Sequence, residues 1–181
     1  MKYAFSTKGW HGRTFDDFCL LAEELKYKGI VLHNVSGSLF TDKDSAFNKY
    51  TAQNTLRTLY DKKLSIPCID ALSDIADASA FKKATEEVEK CLEIALNLRI
   101  PYIKVRAKNS DDKEKSIENV IKFIENVLPK TKKSGVTILI ETAGLFCDTS
   151  MLREVLDRFA TDYLAALWKF VGGIFRIRRR T

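Results

Sequence analysis

Few residues of this chain combine a reactive side chain with a position that a fold would hold in place. His33 and Asn34 close the apolar run of GIVLHNV (29–35), and Asp70 follows Ile69 inside SIPCIDAL (65–72). Arg106 follows Lys104 near the end of PYIKVRA (101–107), and Glu141 ends the apolar part of VTILIET (136–142). The pair His33-Asn34 can hydrogen-bond substrate hydroxyls, although a lone histidine is more often a packed residue. Arg106 presents a planar fork able to hold a substrate oxygen or phosphate; an ion pair across neighbouring strands is the plain alternative. An acid inside an apolar strand needs a partner, so Asp70 is a site residue or a member of an internal salt bridge. Glu141, at a strand end, is open to the same two readings. Trp10 and His11, between the glycines of KGWHG (8–12), can wall a ligand pocket or simply cover a loop.

Other chemistries find less support. No Ser/His/Asp or Cys/His set is spaced for nucleophilic catalysis, and two histidines leave few options for an imidazole base. Carboxylate or metal chemistry is the better enzymatic expectation. Cys19, Cys68, Cys91 and Cys147 are far apart and contain no C-x-x-C pair, which argues against a zinc cluster or disulfide framework and for a reduced, cytoplasmic protein. The apolar part of MKYAFSTKGW is too short for a signal peptide, and no stretch approaches 18 apolar residues, so no membrane partner is expected. The formal charge of +6 is concentrated at the C-terminus: without Lys169, Arg176, Arg178, Arg179 and Arg180 the chain has 25 basic against 24 acidic residues, or +1. That balance gives no argument for nucleic acid. The run KNSDDKEKS (108–116) reads as a solvated loop and helix start.

The elements that would position these residues alternate. At 181 residues, 45% hydrophobic and 30% charged, the chain is long enough for one buried core. YAFST (3–7) is a first strand, followed by a helix in TFDDFCLLAEELKYKG with Thr14 as N-cap and Gly29 as C-cap. GIVLHNV, SIPCIDAL, PYIKVRA, VTILIET and YLAALW (163–168) read as strands two to six. Helices are expected over about 45–63, 78–97 and 113–133 and after Asp148-Thr149. Near-continuous apolar strands separated by amphipathic helices imply a parallel α/β sheet with helical cover. About six strands and five helices fit an open, doubly wound, flavodoxin-like sheet. They equally fit the first three-quarters of a (β/α)8 TIM barrel, which typically needs roughly 250 residues. The first loop has neither G-x-G-x-x-G nor G-x-x-x-x-G-K-[ST], so the nucleotide-binding version of the open sheet loses its main support.

The stretch VTILIETAGLFCDTSMLREVLDRFATDYLAALW (136–168) resembles the xylose isomerase-like TIM barrels, the superfamily of sugar phosphate isomerases/epimerases and endonuclease IV-type enzymes. In that family the fifth strand ends in a Glu that binds a divalent metal, followed by a small-residue loop and a helix opening with a D-T-like cap. Glu141, Thr142-Ala143-Gly144 and Asp148-Thr149 match these features in order. The likeness extends more loosely back to Tyr3. It implies a barrel whose site lies at the C-terminal ends of the strands, with Glu141 as metal ligand and catalytic residue. Asp70, His33, Asn34, Arg106, Trp10 and His11 would then form the substrate-binding set for a small sugar-like molecule.

The likeness breaks at the end of the sixth strand. The family commonly has L-W-D there, with the Asp and a following His serving the metal; this chain has Leu167-Trp168-Lys169 and no acid or His thereafter. The expectation is therefore a partial barrel over 1–168 and a basic tail over 169–181 outside the family pattern, produced by a reading-frame change or truncation; a short edge strand in FVGGIFRIRRR is the rival account. A divalent Mn, Mg or Zn ion would serve complete relatives and would not be held tightly here. The functional expectation is a sugar or sugar phosphate isomerase/epimerase-like protein, inactive as this chain alone and prone to self-association through open barrel edges. The alternative is a noncatalytic α/β subunit or binding module that acts through a partner.

Overall fold

The computed structural model describes residues 2–41 and 45–169. Its elements run β1 (Ala4–Ser6), α1 (Phe15–Glu24), β2 (Gly29–His33), α2 (Ser38–Thr41), α3 (Ala52–Asp61), β3 (Cys68–Asp74), α4 (Phe81–Leu98), β4 (Tyr102–Arg106), α5 (Lys113–Ser134), β5 (Thr137–Glu141), α6 (Thr149–Phe159) and β6 (Leu164–Leu167). All six strands join one sheet in the order β1-β2-β3-β4-β5-β6, and every neighbouring pair is parallel. A doubly wound sheet reverses direction at a switch point. Here each crossover steps one strand further the same way, as in a TIM barrel, so the flavodoxin-like alternative is discarded. Among the described residues β1 and β6 each have one neighbour, and the sheet is open.

Alternation along the strands divides the residues between two faces. Ile30, Leu32, Ile69, Ile103, Val105, Ile138 and Ile140 lie on the helix-covered face and are essentially inaccessible. Burying each such aliphatic side chain is worth about 1.5–3 kcal/mol relative to leaving it exposed. Cys91, Leu92, Ala95 and Leu98 of α4 and Val120, Phe123, Ile124 and Val127 of α5 complete this core. The strand registers place His33 beside Asp70, Asp70 beside Lys104, Lys104 beside Leu139 and Glu141 beside Leu167 on the other face. That face carries the polar strand residues.

Thr14 caps α1 as expected, within a capping box: its hydroxyl accepts from the Asp17 amide while the Asp17 carboxylate accepts from the Thr14 amide. Gly29 does not end this helix. The turn comes earlier, at Leu25 and Lys26, and Gly29 opens β2, where a Cβ would stand 3.0 Å from that of Ala4 and 3.3 Å from the Pro67 ring. The helix expected from about Ser45 begins at Ala52. Ser45 Oγ donates to the Leu39 carbonyl and Asn48 Oδ1 accepts from the amides of Tyr50 and Thr51, so these side chains hold residues 45–51 in turns. The expected basic tail lies, beyond Lys169, outside the described residues.

Candidate functional site

A chain of charges runs across the sheet from His33 at the end of β2, through Asp70 and Lys104 midway along β3 and β4 and Glu141 at the end of β5, to Lys169 just after β6. His33 Nδ1 is 3.0 Å from Asp70 Oδ2, and Lys104 Nζ is 2.9 Å from Asp70 Oδ1. The same Lys104 Nζ is 3.5 Å from Glu141 Oε1, which also lies 3.2 Å from Lys169 Nζ. Both carboxylates are nearly inaccessible, Asp70 at 6% exposure and Glu141 at 8%. The flanking cations offset part of the desolvation cost of burying two carboxylates. The Lys104–Asp70 contact is an ion pair without hydrogen-bond alignment, which leaves Asp70 Oδ1 without a hydrogen bond.

Backbone contacts fix this row. The His33 amide donates to Thr7 Oγ1 at 3.0 Å, tying the end of β2 to the end of β1. The Thr142 amide donates to the Leu167 carbonyl and the Lys169 amide to Thr142 Oγ1, both at 2.9 Å, which clamps the segment after β6 onto the end of β5. Lys169 is thereby held over Glu141. The following loop depends on Gly144, whose φ of +61° lies in the left-handed region; a Cβ there would be 2.2 Å from the Ala107 carbonyl oxygen. Asp148 then caps α6, its carboxylate accepting from the Ser150 hydroxyl and amide, which hold it below the usual carboxylate range.

The other residues singled out from the sequence go elsewhere. The Arg106 fork donates through Nε and Nη2 to the Leu72 carbonyl at 2.9 and 2.7 Å, so its donors serve the end of β3. Asn34 takes φ +60° just after β2, accepts from the Gly37 amide, and lines a cleft with Ser73 and Glu87 outside the charged row. Trp10 lines a groove along α1 with Leu20 and Leu21, while His11 is exposed. Of the seven, His33, Asp70 and Glu141 join one network. Lys104 is a member that the sequence did not single out, whereas Lys169 stands where the family has its aspartate and brings the opposite charge. The signal for Lys104 was its strand position: with period 2 it shares a face with Arg106, and the acid in the preceding strand needed a cation.

The row can orient an imidazole. With Asp70 accepting at Nδ1, neutral His33 carries its proton there, and Nε2 forms no hydrogen bond among the described residues. Thiol chemistry is disfavoured at the three cysteines within the fold. Burial pushes the Cys68 thiol, beneath Asp70 in β3, up to about 12 and that of Cys19 up to about 11, and it also raises Cys91. A divalent metal fits the described residues poorly: no three His, Cys, Asp or Glu side chains among them converge, and Glu141 already faces two ammonium groups.

A parallel α/β sheet wound in one direction, strand after strand, with helical cover on one face, defines a protein of the TIM-barrel class. The chain belongs to the xylose isomerase-like TIM barrel family, whose model matches residues 19–170. None of the curated proteins matches it. Among solved structures it is similar to the probable 3-DHS dehydratase AsbF involved in petrobactin synthesis from Bacillus anthracis, with 22% identity and a TM-score of 0.76 over 93% of this chain and 62% of that one. It is also similar to the apo form of 3-keto-D-glucoside 4-epimerase YcjR from E. coli, with 11% identity and a TM-score of 0.73 over 93% of this chain and 68% of that one. A third is the IOLI protein with a bound zinc atom, with 14% identity and a TM-score of 0.72 over 91% of this chain and 61% of that one. The chain thus spans about three-fifths of the length of AsbF and IOLI. Among the described residues no helix is long and apolar enough to cross a membrane.

Proposed function

We propose that this chain is an isomerase/epimerase-like member of its family, directed at a sugar or sugar phosphate, and that as an isolated chain it does not carry out the metal-dependent reaction. The relatives that carry the substrate class are the 4-epimerase and further neighbours described as epimerases of D-psicose and D-tagatose type. The observation that carries the loss of activity is Glu141 held between Lys104 and Lys169, at 3.5 and 3.2 Å. Both ammonium groups lie against Oε1 of Glu141, and like-charge repulsion opposes a third positive charge beside that carboxylate. What remains is a row of carboxylates, lysines and an oriented imidazole able to bind hydroxyl groups and to accept a proton at His33 Nε2.

Isothermal titration of the purified chain with Mn2+, Mg2+ and Zn2+ tests this reading. Binding no tighter than millimolar is expected. A micromolar site abolished by Glu141→Ala would overturn it.

A second reading, a noncatalytic subunit that works through a partner, is favoured by one feature of the sheet edge. Ala166 of β6 pairs in register with the fully buried Ile140 on the helix-covered face, yet is itself exposed. Helix α6 packs against β6 and buries Leu164, but the helical cover among the described residues does not reach Ala166.

A further inference from the structure

A separate cavity of about 380 Å3 lies between the β3–α4 and β4–α5 connections, outside the charged row. That is the size of a small-molecule site. Its floor includes Ser116 in the first turns of α5, which is 6% exposed. The Ser116 amide donates to the Asp112 carbonyl, but its hydroxyl has no hydrogen-bond partner among the described residues. Because Ser116 is nearly buried and lines a polar cavity, its unpaired hydroxyl has unused donor and acceptor capacity there.

The walls decide which ligand fits. Three carboxylates line the cavity, and each is already anchored: Asp74 accepts from the amides of Ala76 and Lys108, Asp77 from the Ser79 hydroxyl and amide, and Asp112 from the Lys115 amide. Lys108 and Lys115 add two ammonium groups on exposed side chains. Three anions against two cations and the positive end of α5 leave little net charge, so neither an anion nor a cation is strongly preferred. The acids do not form a three-ligand metal group. Asn119 donates from Nδ2 to the Ala76 carbonyl, which leaves its Oδ1 as an acceptor. Donors and acceptors are therefore interleaved over a few ångströms, the pattern that matches hydroxyl groups, each of which gives one hydrogen bond and takes others.

We propose that this cavity is a binding site for a neutral polyhydroxylated molecule, a sugar or polyol, anchored on the Ser116 hydroxyl and held by the carboxylates, lysines and Asn119 around it. The site is distinct from the row at Glu141 and stands or falls independently of the activity proposed above.

The test is a chemical-shift titration of the full 15N-labelled chain with D-fructose, with inorganic phosphate as a second arm. D-fructose is expected to bind in the millimolar range and to move the amides of Lys108, Lys115 and Ser116. Ser116→Ala should weaken binding at least fivefold and Lys115→Gln at least threefold, while Glu141→Ala leaves it unchanged. Amide dispersion of each variant confirms that it is folded. The proposal is overturned if the sugar moves no amide of this cavity, if Ser116→Ala binds like the parent, or if Glu141→Ala removes the shifts. It is also overturned if phosphate binds there more tightly than the sugar at equal ionic strength, which would mean that charge and not hydroxyl matching selects the ligand.

Discussion

Lys104 Nζ stands 2.9 Å from Asp70 Oδ1, and the two residues face each other in the β3–β4 register. The pair sits at the centre of the charged row, so each partner owes its tolerable burial to the other. Asp70→Ala leaves the Lys104 ammonium with Glu141 alone and His33 without its acceptor, and is expected to cost about 3 kcal/mol. Replacing both charges, as Asp70→Leu with Lys104→Met, is expected to recover most of that loss, because no unpaired ion is left behind. Urea unfolding of the three chains measures this; a double variant as unstable as Asp70→Ala would show that the pair is not the reason for the cost.

The loop that follows Glu141 has its own weak point. Gly144→Ala would force a methyl group to within 2.2 Å of the Ala107 carbonyl oxygen at a φ of +61°. A loss of at least ~2 kcal/mol is expected from strain and displacement together. The same substitution at Gly135, where φ is +67° but nothing lies within 4 Å of the added Cβ, should cost less. Equal losses in thermal unfolding would assign both effects to backbone conformation and none to the contact with Ala107.

Acid should loosen α6. The Ser150 hydroxyl first, and then its amide, hold the Asp148 carboxyl below its ordinary value of 3.8. A carboxyl depressed in the folded state stabilises it fully above the unfolded value, and that contribution disappears as pH falls through the folded value. The stability difference between the parent chain and Asp148→Ala should therefore narrow as pH drops below about 4. A difference that stays constant between pH 7 and pH 2 would show that the cap does not depend on charge.

Much of this architecture was legible because strands buried on one face and half-covered on the other leave long apolar runs, and Glu141 stood out as the acid that ends one. The misplaced boundaries have local causes. Gly29 resembled a helix stop, but Lys26 takes the left-handed conformation at φ +59° and the glycine is needed where β2 passes Ala4. Residues 45–51 looked helical because hydroxyl and amide side chains that capture nearby backbone groups leave the pattern of apolar positions unchanged. In the site, Arg106 was placed at the correct strand end but not with its correct partner, since a backbone carbonyl such as that of Leu72 leaves no trace in side-chain types. Asn34, Trp10 and His11 lie past strand ends, where periodicity no longer says which way a side chain faces.

Self-association is the expected behaviour of the 181-residue chain in solution. Strands β1 and β6 each offer one unpaired edge among the described residues, and Ala166 and Trp168 are exposed beside the second. Such edges favour pairing with another chain. Light-scattering chromatography should give an oligomer or aggregate; a sharp monomer peak at 20.6 kDa with cooperative thermal unfolding would contradict this.

The sequential order of the strands also bears on how the chain acquires its structure. Every pairing joins strands that are close in the chain, from Ala4 with Gly29 at the shortest separation to Leu32 with Ile69 at the longest. Because loop-closure entropy rises only with the logarithm of length, the five pairings cost nearly the same to initiate. None has to wait for a distant segment. An emerging chain can therefore lay each strand against the one made just before it, so that assembly keeps pace with synthesis and the latest strand is always the template for the next.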